Sequence, residues 1–232
     1  MNNKSLNFVV ILTTTVNTSP NVCCVYQKKK EQRLKTYLKS IEFWIKKTNV
    51  SIVVVENSGY PFDEFNELKD AYSDRLEFIT FNNSRQFLNE HDYIFLNNGK
   101  PHQGRSKGQH ELYAINKVFT SSILIRKLHP DFIIKITGRY YIPNFENILN
   151  RNLDEDTSIL VQNNQDECMV LGCKTEFIGK LFEFPSNQTK DFIENVYKER
   201  IKDIPGNKLV LPRLQLEWKT QQGGVNKVHG FI

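Results

Sequence analysis

A short apolar segment that ends abruptly in polar residues is the first candidate for chemistry in this chain. Residues 132–136 are bulky and mostly apolar, and Thr137, Gly138 and Arg139 follow at once. Such a run is typical of a buried strand, and open α/β sheets bind ligands at the carboxyl ends of their strands. Glycine lets a ligand approach the backbone, and a guanidinium binds phosphate or carboxylate. The pattern predicts an anion site at Arg139, with an ordinary turn as the alternative.

Two earlier segments end in the same way. The apolar residues 8–12 lead into three threonines, and residues 50–55 lead into an acid and an amide. Apolar residues at helical spacing fill positions 33–45 between them, so the three segments form a βαβ unit with parallel strands. Both polar ends are then expected at one edge of the sheet, where their groups suit a base, ribose or phosphate. These residues are Thr13, Thr14, Thr15, Glu56 and Asn57.

A basic, glycine-containing loop precedes a further helical pattern. Arg105, Lys107 and Gly108 lead into Glu111 and into apolar residues at helical spacing. The first amides of a helix and its dipole favour anions, and Lys107 adds a full positive charge. The order of residues differs from that of a Walker A loop. A surface loop without ligand is the alternative.

The remaining pattern predicts an α/β fold: a Rossmann-type mixed sheet, mostly parallel in its N-terminal half and flanked by helices. We expect one domain over residues 1–232, with residues 1–141 as its ligand-binding half. A single helix is predicted at 108–127, before the strand at 131–136. Further helices are predicted at 62–72, 144–149, 175–181 and 191–201, and further strands at 76–81, 158–161 and 169–172.

Composition limits the function classes. The net charge of +5 rests partly on lysines of the first predicted helix, which could attract polyanions or a membrane surface but fit a solvated helix face better. The four cysteines do not form a convincing zinc pattern. No apolar run approaches the ~18 residues of a membrane span. We therefore expect a cytoplasmic protein with at most peripheral membrane contact and no nucleic-acid partner.

Several common catalytic motifs are missing from the sequence. No G-x-G-x-x-G follows the first strand, and G-x-S-x-G and H-E-x-x-H do not occur. These absences disfavour the commonest dehydrogenase, hydrolase and metalloprotease classes.

The chain combines segments that end in Thr13–Thr15, Glu56–Gly59 and Thr137–Tyr140 with Arg33 and Lys107-Gly108. In their order along the sequence, these features resemble GT-A-type nucleotide-sugar glycosyltransferases of large DNA viruses and bacterial surface-polysaccharide loci. The resemblance covers roughly the first 140 residues. It implies a nucleotide-sugar donor, such as a UDP-sugar, and a glycan or lipid-linked acceptor bound by residues 142–232. It also implies donor contacts from Thr13, Thr14, Thr15, Arg33, Glu56, Asn57, Arg105, Lys107, Gly108, Glu111, Thr137 and Gly138.

The chain departs from this family at its metal site. Family members usually carry Asp-x-Asp at the strand tip, where it binds a divalent metal that bridges the diphosphate. Thr137-Gly138-Arg139 stands in that place, and the chain's one Asp-x-Asp, Asp154-Glu155-Asp156, lies in a predicted turn. We expect Arg139, with Lys107 or Arg105, to supply the positive charge instead. Catalysis without metal is the hypothesis, and a requirement for Mn²⁺ or Mg²⁺ stays open.

An inverting transferase also needs a carboxylate to accept the proton of the acceptor hydroxyl. Glu217, beside Trp218, is the predicted catalytic base, and Asp166 and Glu167 are further candidates. Glu111 is expected either to bind sugar hydroxyls or to pair with Arg139.

Two other functions remain as alternatives. A sugar-nucleotide nucleotidyltransferase shares a related layout but typically has a glycine-rich basic loop after the first strand, where this chain has threonines. A non-catalytic module that binds polyanions through its lysines would show steep salt dependence.

Overall fold

A seven-stranded mixed sheet organises the molecule. The computed structural model describes residues 6–18, 27, 29–82, 95–97, 100–102, 107–162, 168–184, 192–221 and 227–232. The strand order is β3-β2-β1-β6-β8-β7-β9, in which only β8 runs against its neighbours. The predicted class, an α/β fold with a mostly parallel N-terminal half and flanking helices, is confirmed.

The strands have the following bounds: β1 Phe8–Thr14, β2 Ser51–Glu56, β3 Leu76–Thr80, β4 Phe95–Asn97, β5 Lys100–His102, β6 Phe132–Thr137, β7 Thr157–Val161, β8 Val170–Lys174, β9 Asn207–Val210, β10 Gln215–Gln221 and β11 Val228–Phe231. The pairs β4-β5 and β10-β11 are separate two-stranded sheets.

The helices are α1 Lys30–Lys47, α2 Asn66–Ala71, α3 Lys107–Ser121, α4 Ile123–Leu128, α5 Phe145–Asn152, α6 Ile178–Phe182 and α7 Ile193–Lys202, with 3₁₀ turns at Asp63–Phe65 and Thr175–Phe177. Among the described residues, none of these helices is both long and apolar enough to cross a membrane.

Two apolar layers cover the two faces of the sheet. Successive side chains of a strand point to opposite faces, so Val10 and Leu12 of β1 join one core cluster while Val9 and Ile11 join the other. Trp44 of α1 belongs to the first cluster and Leu112 of α3 to the second. We call these faces the α1 face and the α3 face.

The predicted single helix at 108–127 is wrong, because the chain breaks at Ser122. The Ser122 hydroxyl caps α4 by accepting from the Ile125 amide at 3.0 Å. The Glu77 carboxylate of β3 accepts from the amides of Ile123 and Leu124 at 2.9 and 3.0 Å. These bonds satisfy the backbone amides that are exposed where a new helix begins. The contact with Glu77, which is distant in sequence, therefore divides a helix that the apolar pattern predicts to be continuous.

Other predictions differ in detail. The helix predicted at 62–72 is a 3₁₀ turn followed by α2, and the one at 175–181 is a 3₁₀ turn followed by α6. Strands β9, β10 and β11 were not predicted. Asp154 accepts from the Asp156 and Thr157 amides at 3.1 and 2.8 Å, so the Asp-x-Asp segment forms the predicted turn.

Gly172 at the centre of β8 gives the first testable prediction. A Cβ built there would lie 2.8 Å from the Ile133 carbonyl oxygen of β6, and backbone cannot move aside as a side-chain end can. We expect Gly172→Ala to lower the free energy of unfolding by about 1–3 kcal/mol in urea titrations.

The matched control is Gly179→Ala in α6. No atom lies within 4 Å of a Cβ at that position, so the substitution meets no obstacle and gains helix propensity. Equal stability of the two variants would contradict the tight β6-β8 contact.

Candidate donor-binding site

The polar strand ends predicted from the sequence lie side by side. Thr14 of β1 pairs with Glu56 of β2, and Thr13 of β1 pairs with Thr137 of β6, all in parallel register. Because β1 lies between β2 and β6, the three tips form one edge of the sheet. Their side chains divide between the two faces.

On the α3 face, a buried lysine holds a carboxylate at the edge. Lys135 of β6 is fully buried, and its Nζ lies 2.7 Å from Oε1 of Glu111 on α3. The Thr13 hydroxyl donates to the same oxygen at 2.7 Å, and Nζ also donates to the Cys168 carbonyl at 2.6 Å. Burial opposes the charged amine, but Glu111, with smaller contributions from Cys168 and Glu194, outweighs burial and raises the pKa of Lys135. Glu111 therefore forms its ion pair with Lys135, and not with Arg139, which was one of its two predicted roles.

On the α1 face, two arginines lie buried around one tyrosine hydroxyl. Arg33 of α1 is 3 % exposed and Arg139 is 2 % exposed. Both donate to the Tyr37 hydroxyl, over 3.1 Å and 3.5 Å respectively. Within the described residues, neither guanidinium forms an ion pair with a carboxylate. We call these two residues the arginine pair.

Arg33 anchors the chain that leaves β1. Its Nε donates to the Thr15 carbonyl at 2.7 Å, a second nitrogen bonds the same oxygen, and a third donates to the Gln27 carbonyl at 3.2 Å. Burial lowers the pKa of Arg33, and the charge of Arg139 lowers it further. All three guanidinium nitrogens of Arg33 already bind protein oxygens. Arg33 therefore contributes shape and positive charge to the site rather than free hydrogen-bond donors.

The guanidinium of Arg139 is only partly hydrogen-bonded by the described residues. One terminal nitrogen reaches the Gln221 carbonyl of β10 over 3.3 Å, which is a long bond, and its buried Nε has no hydrogen-bond partner. The loop that carries it is fixed by the indole of Trp44, which donates to the Tyr140 carbonyl at 2.8 Å. The structure thus holds an incompletely satisfied guanidinium in a rigid position.

Glycine is required before Arg139. A Cβ at Gly138 would lie 2.7 Å from Cγ2 of Thr14 and 2.9 Å from the Thr13 carbonyl oxygen, which accepts from the Gly138 amide. Gly138 therefore serves close packing of β6 on β1. Thr137, one residue earlier, is half-buried at the edge.

The polar residues after β2 mostly shape the loops. The buried Glu56 carboxylate accepts from the amides of Val16, Ser58 and Tyr60 at 2.8–2.9 Å, and burial raises its pKa despite these bonds. Asn57 accepts from the Thr15 hydroxyl at 2.7 Å. The Thr14 hydroxyl donates to the Val55 carbonyl. Contacts of these groups with a nucleotide remain a prediction.

For some predicted site residues, the structure gives no position or only a packing role. Arg105, Asp166 and Glu167 are outside the described residues, and of Lys107 the structure describes only that it begins α3. Gly108 packs α3 against α7, since a Cβ there would lie 2.4 Å from Cβ of Ile193.

Glu217 is exposed on β10, four residues before Gln221. Four residues of strand span about 13 Å, so the carboxylate lies well away from the Gln221 carbonyl that Arg139 binds. The neighbouring Trp218 ring stacks on Tyr141 with centroids 6.2 Å apart, and Lys39 lies 4.1 Å from its centroid. Trp218 thus packs β10 against α1, and the role of Glu217 as base stays a prediction.

The described part of the tip shows no cluster of metal ligands. Among the described residues, no three His, Cys, Asp or Glu side chains converge as metal ligands. Glu111 is already paired with Lys135, the Glu56 carboxylate accepts from three loop amides, and the arginine pair adds two positive charges. Charge at this edge therefore favours anions.

Sequence reasoning missed Lys135 and Tyr37 as site residues. A lysine inside an otherwise apolar strand was the available signal for the first, because a buried amine requires a partner. Tyr37 fitted the apolar period of α1, and nothing in that period marks a hydroxyl that bridges two arginines.

No protein-family model and no curated protein sequence matches the chain. Among solved structures, a protein described as a nucleotide-diphospho-sugar transferase from Desulfovibrio desulfuricans G20 aligns with a TM-score of 0.44 and 12% identity over 88% of this chain and 79% of that one. An active-site mutant of LgtC aligns with a TM-score of 0.39 and 10% identity over 85% of this chain and 65% of that one. Similarity this low supports no inference about function, which has to rest on the site itself.

Proposed function

We propose that the chain is a glycosyltransferase that moves a sugar from a nucleotide-diphosphate donor to a glycan or lipid-linked acceptor. The observation that carries this proposal is the arginine pair at the carboxyl edge of a mostly parallel sheet: two buried guanidinium groups that form no ion pair with any carboxylate of the described residues.

An unpaired buried charge is costly, and two like charges around one hydroxyl cost more. A protein bears that cost where a ligand offsets it. A nucleoside diphosphate brings at least two negative charges and several acceptor oxygens, which matches the arginine pair in sign and in hydrogen-bonding type. The unpaired Nε of Arg139 is the donor that such a ligand would take.

The α3 face supplies groups suited to a sugar. Glu111 is partly exposed, and Lys135 and Thr13 fix its carboxylate in place. The half-buried Thr137 lies on the same face, where its hydroxyl accepts from Lys135 over 3.5 Å. We assign the donor sugar to this side of the tip and the diphosphate to the side of the arginine pair.

The transfer reaction then requires few catalytic groups from the protein. The acceptor oxygen forms a bond to the anomeric carbon, and the bond from that carbon to the diphosphate oxygen breaks, leaving its electron pair on the diphosphate. Arg139 stabilises the charge that develops on this leaving group. The acceptor proton passes to a base, for which Glu217 is proposed in an inverting reaction, or to solvent.

A donor-binding assay tests the role of Arg139. We expect UDP, GDP, CDP or dTDP to raise the melting temperature of the wild type by mass action. Arg139→Met should weaken binding of that nucleotide about 10- to 100-fold, as expected for a lost charge-assisted bond worth about 1.5–3 kcal/mol. Without ligand, the variant should melt at or above the wild-type temperature, because it removes a buried charge that lies beside another.

Arg126→Met is the matched control, since Arg126 is exposed on α4 before the amino end of β6. It should leave nucleotide binding unchanged. If no nucleotide diphosphate stabilises the wild type, or if Arg139→Met binds nucleotide as tightly as the wild type, the assignment fails.

Metal independence forms a separate prediction. Because the described part of the tip carries arginines and no cluster of metal ligands, sugar transfer should proceed equally fast in EDTA and in Mn²⁺ or Mg²⁺. Chromatography of the products would follow the reaction. Loss of turnover in EDTA with recovery on adding Mn²⁺ would contradict this part. Formation of nucleotide sugar from a nucleoside triphosphate and a sugar phosphate would instead favour a nucleotidyltransferase.

A further inference from the structure

A pocket beside the donor edge contains two buried polar groups that have no hydrogen-bond partner in the described part of the chain. It lies on the α3 face between α7 and the ends of β7 and β8, with a volume of about 450 Å³. Gln162 and Tyr197 line it, and each is only 2 % exposed. Neither the Tyr197 hydroxyl nor the Gln162 Nε2 has a hydrogen-bond partner.

The lining of this pocket is amphipathic. Aliphatic side chains such as Val161 and Leu171 provide apolar surface, and the half-buried Glu194 provides a carboxylate beside the two unpaired polar groups. The Gln162 side chain is held in one orientation, because its oxygen accepts from the Val170 amide at 2.9 Å. A pyranose matches such a lining, with an apolar ring face and hydroxyls that both donate and accept.

Cys168 connects this pocket to the donor edge. Its carbonyl accepts from Lys135, whose Nζ holds Glu111, while Cys168 also lines the pocket. The pairing Ile136↔Val170 puts the pocket end of β8 next to the carboxyl end of β6. A ligand in the pocket would therefore lie next to the proposed donor sugar.

We infer that this pocket, which we call the Tyr197 pocket, binds the hydroxyl-bearing saccharide of the acceptor, with the Tyr197 hydroxyl and the Gln162 amide as hydrogen-bonding groups. Saccharide binding is argued from the pocket alone. That this saccharide is the acceptor of a transfer reaction rests on the proposed function. Buried polar groups without partners are rare in proteins, and a ligand that pairs with them removes their cost.

Methyl glycosides of glucose, galactose, mannose and N-acetylglucosamine are suitable probes, with binding measured by saturation-transfer NMR. At least one should bind the wild type, and Tyr197→Phe should weaken that binding by a factor of about 5 to 10, the effect of one hydrogen bond. The variant should keep its fold, since the removed hydroxyl has no hydrogen-bond partner among the described residues. Tyr72→Phe on the α1 face is the matched control and should bind as the wild type does.

Alkylation gives a second readout that needs no variant. The bound glycoside should slow modification of the half-buried Cys168 by iodoacetamide, measured by peptide mapping. Cys173 is buried, which raises the pKa of its thiol, so it should stay unmodified throughout. Binding that Tyr197→Phe leaves unchanged, absence of protection at Cys168, or no binding of any glycoside would overturn the inference.

Nucleotide binding by the same samples separates the two proposals. Tyr197→Phe should bind nucleotide diphosphates like the wild type. If nucleotides bind and glycosides do not, only the Tyr197 pocket assignment fails. If glycosides bind in the pocket and nucleotides do not bind at all, the transferase proposal fails and the pocket's role as acceptor site fails with it.

Discussion

The positive charge buried at the tip of β6 is the constraint around which the neighbouring structure is arranged. Arg33 and Arg139 are nearly inaccessible, and the oxygens that solvate them are neutral: the Tyr37 hydroxyl and the carbonyls of Thr15, Gln27 and Gln221. These oxygens come from α1, from the segment after β1, from Gln27 shortly before α1, and from β10. Four separate parts of the molecule therefore meet at two guanidinium groups.

The positive charges on the two faces of the tip have different kinds of partner. On the α3 face, Lys135 is neutralised by Glu111 within the protein, so the carboxylate becomes a fixed hydrogen-bonding group with little net charge around it. On the α1 face, the arginine pair has no acidic partner among the residues that the structure describes. A ligand with one uncharged polyol end and one anionic end would find both environments within a single edge, which is the arrangement that a nucleotide sugar requires.

Much of the fold followed from apolar patterning. Strands β1, β2 and β6 and helix α1 were predicted from runs and periods, because each is buried and each is long enough to show its pattern. Strands β9 and β11 are short and largely exposed, so they carry no such pattern, and the break at Ser122 depends on Glu77, 45 residues away. The sequence also placed polar groups at one edge correctly. It could not indicate that Lys135 meets Glu111, or that Tyr37 joins Arg33 to Arg139, since those contacts depend on how the helices dock on the sheet.

The turn at Gly138 has a consequence for how such a site can change during evolution. The side chain at 137 lies on the α3 face, close to Lys135, whereas the side chain at 139 contacts Tyr37 on the α1 face. Two acidic residues exchanged into these positions would point to opposite sides of the sheet and could not share one cation. Two acidic substitutions at positions 137 and 139 would therefore not create a metal site on this backbone. Under the proposed function, a lineage with this turn would bind phosphate through guanidinium, and metal ligation at these two positions would require a different loop as well as different side chains.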